Sequence, residues 1–352
     1  MDKKNVTITD VAELAGVSRG TVDRVLHNRG EVSGESAEKV HRAVAELGFQ
    51  PNLYASMLAA KRASVIAVIL PRFKSGQYWS RINDGYQEGA AQVLPLNVKV
   101  SFFSFELNDE ASFRHACSKV LDASPSGVAF SPVFRNESLS FVEELHKRGI
   151  PYVYVDTKLE EGSYYAYYGM PMFQSGYLCG ALLTERMKPE EVKEAAIVRI
   201  VRDKTRQSDP TVSRREGFID FMERNYPACR IYSVFIDASN KGKIRSTLQS
   251  FFAEHPDLKL IAMFNSRIYL LADYLSSNPI EGARVIGFDD LEDNMRMLKD
   301  GFVSVLISQH IDNQARNAVI ALSDLIILKR RISVRDNYMH MDILTKFNLE
   351  NY

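Results

Sequence analysis

Apolar residues recur at helical spacing through the first fifty positions, and then give way to short continuous runs. Val11, Leu14 and Ala15 form one stripe, Val22, Val25 and Leu26 a second, and Val40, Val44 and Leu47 a third. A three-to-four-residue spacing is that of helices with one buried face. The polar punctuation agrees. Thr7 with Asp10 three residues later predicts an N-cap with a carboxylate in the first turn, and Ser18 and Ser33 predict caps for the second and third helices. Gly16 and Gly48 end the first and third by taking a conformation that a β-carbon would penalise. Three helices this short build little core of their own. Pro51 breaks the pattern and opens a short fourth helix, Asn52 to Ala60.

Beyond it, VIAVILP (Val65 to Pro71) is the apolar run of a parallel strand covered on both faces. Further strands follow as VKVSFFSF, GVAFSPV, PYVYVDT, AAIVRIV, IYSVFI, LIAMFN, ARVIGFDD and VSVLIS. Helical stretches such as Arg81 to Val93, Ser138 to Arg148 and Gln174 to Arg186 lie between them. This alternation predicts doubly wound parallel sheets, and the strands are too many for one ordinary sheet. The expected architecture is therefore multidomain: an all-α head followed by a two-lobed α/β unit with a cleft. The expected boundaries are a head over 1–50, a linker over 51–62 and the α/β unit over 63–352. Within that unit one lobe is expected to combine approximately 63–160 with 291–328, and the other 161–290 with 329–347.

Composition narrows the class. A chain of 352 residues with 45% hydrophobic and 25% charged residues is that of a globular protein with more than one core. The formal net charge is zero, and Lys3, Lys4, Arg19, Arg24, Arg29, Lys61 and Arg62 are nearly balanced by carboxylates within the head. Cys117, Cys179 and Cys229 are far apart and form neither a CxxC pair nor a Cys/His cluster, so reduced thiols are expected, with no metal and no cofactor. The start, MDKKNVTITD, lacks a signal-peptide core, and no apolar run is long enough to span a bilayer. A cytoplasmic location without a membrane partner is expected. Walker, GxGxxG and HExxH patterns are missing and no GxSxG stands as a nucleophile elbow between a strand and a helix, so an enzyme is not expected.

The head carries T-x-x-D-V-A-x-x-A-G-V-S-x-x-T-V-x-R-V-L over Thr7 to Leu26, followed by P-N-x-x-A-x-x-L from Pro51. In this, and in the α/β unit behind it, the chain resembles the LacI/GalR family of bacterial transcriptional regulators along essentially its whole length. The resemblance implies a helix-turn-helix whose second helix enters the major groove. By position, Arg19, Gly20 and Arg24 are implied to face bases, where an arginine fork can donate to guanine O6 and N7 together. Ser18, Thr21 and Ser33 would hold phosphates beside capped helix ends, fixing register but not sequence, and Thr7 joins the implied DNA-contacting set. Asp23 stands where the family usually has serine; it would accept from a cytosine amine or orient Arg24. His27 and Asn52 complete the implied DNA-contacting set. Leu58 matches the family's minor-groove wedge, with Ala55 small enough for close approach. The plainer reading is that Leu53 and Leu58 pack as a small core between hinge helices.

The α/β unit resembles the family's periplasmic-binding-protein-like sensor, with an effector held between the lobes at the strand ends. Tyr78 and Trp79, Arg214 in S-R-R-E-G-F, Asn265 at a strand end and Asp289 after V-I-G-F match effector-contacting positions. An aromatic platform with Arg, Asn and Asp suits a polyhydroxylated ligand, a carbohydrate by preference. The bland alternatives are that Trp79 packs in the core and that Asp289 caps the next helix. The chain departs from the family at Gly169, Met170, Pro171 and Met172, where many members have Gly-x-Asp-Asn, which implies a more apolar wall. Ile311 and Ala315 replace a common proline and glycine, while Gln309 and Gln314 remain in what should be a crossover or lobe interface. The implied partners are double-stranded operator DNA, a small-molecule effector and a second copy of the chain as a homodimer. The alternatives are a soluble solute-binding or interaction protein, or a sensor of a non-sugar metabolite.

Overall fold

The computed structural model describes residues 6–26, 32–49, 63–200, 210–330, 332 and 334–351. In the head, α1 (Ile8–Ala15), α2 (Arg19–Leu26) and α3 (Gly34–Leu47) surround a core of Val11, Ala12, Ala15, Val22, Val25, Val40, Ala43 and Phe49. The capping box forms: the Thr7 amide donates to Asp10 at 2.6 Å, and the Asp10 amide returns to the Thr7 hydroxyl at 3.4 Å. Gly16 closes α1 in the left-handed region at φ 64°. Leu14, expected in the buried stripe, is instead 46% exposed. The face of α1 that meets the core is centred on Val11, Ala12 and Ala15. At about 100° per residue, a side chain two positions beyond Ala12 points away from it. The predicted fourth helix, Asn52 to Ala60, lies outside the described residues.

The first lobe opens with β1 (Ser64–Pro71), α4 (Tyr78–Val93), β2 (Val98–Phe105), α5 (Glu110–Ala123) and β3 (Gly127–Phe130). It continues with α6 (Arg135–Lys147), β4 (Tyr152–Asp156) and β5 (Ala166–Gly169). The second holds α7 (Met172–Leu183), β6 (Glu194–Ile200), α8 (Pro210–Asn225), β7 (Arg230–Ile236), α9 (Lys241–Glu254) and β8 (Leu260–Ala262). It ends with α10 (Tyr269–Ser277), β9 (Arg284–Phe288), α11 (Glu292–Lys299) and β10 (Val305–Ser308). The chain then returns through α12 (Ile311–Leu328), which packs on α4 and on the first sheet. Two short strands finish it: β11 (Asp336–Tyr338) and β12 (Asp342–Leu344).

The sheets run β2-β1-β3-β4-β5-β11 and β7-β6-β8-β9-β10-β12, parallel throughout except where β12 lies antiparallel to β10. Apart from the terminal strands the two orders are equivalent, so the lobes are topological copies. Interior strands such as β3, β4 and β8 are wholly buried, as apolar runs covered by helices on both faces should be. The free edges, β2 and β7, alternate between buried and exposed positions.

The lobe boundaries need correction. β5 pairs with β4 and belongs to the first lobe, and β10 pairs with β9 and belongs to the second. The chain therefore changes lobe after Gly169, after Ser308 and between Tyr338 and Asp342, rather than near 160 and 290. The reason is chemical. β5 reads AYYG, four residues with two phenol hydroxyls, and gives no apolar run to mark it as a strand. The tail strands β11 and β12 are three residues each and equally faint.

Candidate functional site

In each lobe the fourth strand ends at the cleft on a buried aspartate, Asp156 at the end of β4 and Asp289 just after β9. Both hold positive φ, 68° and 73°. Non-glycine residues keep this conformation only where their surroundings over-determine it, and such positions cluster at functional sites. Tyr78, the first residue of α4, donates to Asp156 Oδ1 at 2.6 Å. Gln309, at the crossover out of β10, donates from Nε2 to Asp289 Oδ1 at 2.7 Å and stands 3.5 Å from the Tyr78 oxygen.

Arg214 completes the cluster from α8. Its Nη1 donates to the Phe264 carbonyl and its Nη2 to Gln309 Oε1, both at 3.0 Å, and Nη2 lies 3.0 Å from Met170 Sδ. The guanidinium carbon sits 4.0 Å from the centre of the Phe288 ring, within cation–π range. Arg214 Nε is buried and has no hydrogen-bond partner among the described residues. A helix contact without slack sets the position of this arginine. A β-carbon on Gly176 of α7 would fall 1.7 Å from the Arg214 carbonyl oxygen, so only glycine lets α7 and α8 approach this closely.

The electrostatics follow from burial. Asp289 is 1% exposed, and loss of water pushes its carboxyl up to about 7; the Arg214 charge and the Gln309 donor oppose the rise, while Asp290 and Asp156 add to it. Burial likewise holds the Tyr78 and Tyr167 phenols well above their ordinary range, reinforced by Asp156, so both remain donors. The cleft therefore gathers two carboxylates, a guanidinium, an amide and a phenol over an aromatic floor. That donor and acceptor set matches adjacent hydroxyls on a ring: carboxylates accept, while guanidinium and amide donate. Among the described residues it offers no activated nucleophile. Cys179 is fully buried, and burial pushes its thiol far up.

Three of the five predicted effector residues meet here: Tyr78, Arg214 and Asp289. Trp79 does not join them. Its ring lies edge-on to Tyr78, with centroids 5.5 Å apart, and packs against the first lobe's core. Asn265 also stands apart, its Oδ1 accepting from the Arg267 amide at 2.9 Å. It lines a small recess with Thr211, Arg215 and Phe264, the last being the residue whose carbonyl accepts from Arg214. Asp289 does not cap α11, whose N-cap is Leu291 with no side-chain bond. Met170 is buried in the second lobe's core, with its sulfur beside Arg214. Two members went unassigned as ligands. Asp156 was legible, since VYVD ends a strand as VIGFD does, whereas Gln309 read only as part of a lobe interface.

In the head, Ser18, just before α2, and Arg19, Gly20 and Arg24 on it are exposed, while Thr21 and Asp23 are half-buried. Ser18 Oγ accepts from the Thr21 amide at 3.1 Å and lies 2.9 Å from the Thr21 hydroxyl. Thr7 and Ser33 are exposed and serve as N-caps of α1 and α3. His27, Asn52, Ala55 and Leu58 lie outside the described residues.

Comparisons with known proteins agree with this division. Residues 7–52 match the family of bacterial regulatory proteins, lacI family, and residues 66–330 match the periplasmic binding protein domain. The crystal structure of a candidate LacI transcriptional regulator from Bacteroides fragilis superposes with a TM-score of 0.77 at 30% identity, covering 83% of this chain and all of that one. A sucrose operon repressor from Pediococcus pentosaceus is 26% identical over 293 residues, 80% of this chain and 81% of the repressor. The HTH-type transcriptional regulator DegA of Bacillus subtilis is 29% identical over 146 residues; the match spans only 41% of this chain and 42% of that regulator.

Proposed function

The chain belongs to the lacI family of bacterial regulatory proteins, and from that premise we propose that it is a transcriptional repressor. It reads an operator through α2 and releases or tightens its grip when a carbohydrate binds between its lobes. The observation that carries the effector half is the convergence of Tyr78, Asp156, Arg214, Asp289 and Gln309, drawn from both lobes, on one buried polar cluster. These side chains bond largely to one another, while Arg214 Nε is left without a partner among the described residues. A polyol that displaces those bonds gains partners on both lobes at once, and so has different affinity for open and closed states, which is what coupling requires. In the other half, Arg19 and Arg24 are exposed on a helix whose buried side is fixed by Val22 and Val25. With overall charge balanced, specificity rests on these placed cations rather than on a basic domain.

Repression by a homodimer fits the free sheet edges. β2 exposes Phe102 and β7 exposes Phe235, each on the edge opposite the lobe crossovers. Aromatic edges of this kind favour burial against a second copy, and a two-fold pair of heads would read a palindrome. No described helix is long and apolar enough to cross a membrane, and a cytoplasmic location suits action on DNA. The cleft's role in this reading is to bind its ligand, since the groups described there are hydrogen-bond donors and acceptors. The test is a calorimetric titration of the full chain with a panel of sugars and polyols, each hit repeated with Asp156→Asn and Arg214→Gln. Saturable binding lost in both variants supports the assignment. Binding that survives both places the ligand elsewhere.

A further inference from the structure

A salt bridge between the lobes lies beside the ligand cluster without being part of it. Arg81 lies on α4 in the first lobe, one turn beyond Tyr78. Its Nη2 reaches Asp290 Oδ2, on the second lobe beside Asp289, at 3.3 Å, and Asp312 Oδ2, in the first turn of α12, at 3.2 Å. The geometry is built from the helix pair outward. A β-carbon on Gly85 would lie 2.0 Å from the Asp312 carbonyl oxygen, so α4 and α12 touch backbone to backbone one turn from Arg81. That contact delivers the guanidinium to the point where the chain crosses between lobes. Asp290 is fixed in turn, its Oδ1 accepting from the Ser308 hydroxyl at 3.1 Å, on the residue that precedes Gln309.

We propose that Arg81 is a positioning residue that registers the two lobes: by holding Asp290 against Asp312 it sets how readily the cleft opens and where Asp289 and Gln309 stand. Burial gives the bridge leverage. The Asp290 side chain is 9% exposed and that of Arg81 33%, so water screens the pair less than it would a surface pair. Without the guanidinium, Asp290 and Asp312 face each other beside Asp289 with no cation between them. Repulsion then favours separated lobes. Arg214 does not substitute, since its guanidinium is held by Phe264, Met170 and Gln309.

The inference relies on the regulatory reading only for its consequences; lobe opening itself is measured without DNA or effector. Small-angle scattering of the full chain gives the radius of gyration, and the emission of Trp79, the sole tryptophan, reports from two residues away. Arg81→Gln is expected to enlarge the radius and shift the emission, with Arg81→Lys in between. Asp290→Asn, which keeps size and shape, should do the same to a smaller degree and carries the test if Arg81→Gln does not fold. Combining the two should add little to the larger single effect, because both remove one interaction. Unchanged scattering and emission in both variants, or fully additive effects, would overturn the proposal. If the lobes loosen and sugar affinity falls several-fold while operator binding ignores the sugar throughout, the positioning role stands and the regulatory reading fails.

Discussion

Replacing Asp289 with asparagine should change how stability depends on pH, and the direction follows from burial. An exposed aspartate in the unfolded chain loses its proton near 3.9. In the folded protein, burial holds the Asp289 carboxyl at about 7. Between these values the native state keeps a proton that the unfolded state has released, so the contribution is full at low pH and is lost as pH rises through 7. The slope approaches ~1.4 kcal/mol per unit, giving roughly 2–3 kcal/mol between about pH 5 and about pH 8. Asparagine keeps the size and an acceptor for Gln309 but does not titrate. The stability of Asp289→Asn relative to the parent should therefore rise by roughly 2–3 kcal/mol across that interval. Urea unfolding of both proteins at several pH values, followed by circular dichroism and Trp79 emission, measures this. Parallel stability profiles would refute the reasoning, because they would mean that Asp289 is ionised at low pH in the folded state. A bound polyol supplies the missing donors to the carboxylate, so sugar affinity of the parent should strengthen as pH rises toward 7.

Two further substitutions test the packing and the DNA-reading face. Gly176→Ala forces a β-carbon into the Arg214 carbonyl; it should cost ~1–3 kcal/mol in unfolding experiments and weaken sugar binding by moving the guanidinium, whereas a neutral result would show that α7 and α8 can part freely. Arg24→Ala should cost ~1–3 kcal/mol of discrimination at one operator position and flatten base preference there in a selection from random DNA, with an unchanged profile removing Arg24 from the reading set.

Much of the fold is written in local chemistry. The head is legible because Thr7, Ser18, Ser33, Gly16 and Gly48 each mark a helix end, and the structure places a cap at each of them. The buried strands are legible because parallel strands covered on both faces must be apolar throughout. The lobe boundaries were harder, since β5, β11 and β12 are short and partly polar and owe their existence to neighbours distant in sequence. Leu14 shows the same limit on a smaller scale: an apolar residue near a stripe need not lie on it. At the site, Tyr78, Arg214 and Asp289 could be named from position, but their shared partner Gln309 enters through a crossover. Trp79 turned toward the core because an indole gains more from packing against the first lobe than from a polar cleft. The link from Arg81 to Asp290 and Asp312 spans more than two hundred positions, and no local pattern announces it.

Operator binding measured with and without sugar tests the central claim most directly. A DNA sequence would first be selected from a random library with the full chain, and its affinity then followed by fluorescence anisotropy across a panel of sugars and polyols. The expected result is a two-fold-symmetric sequence whose affinity is changed at least several-fold by one of these ligands, with the change abolished by Asp289→Asn or Arg214→Gln while binding to DNA alone persists. No enriched sequence, or an operator affinity that every ligand leaves untouched, would contradict it.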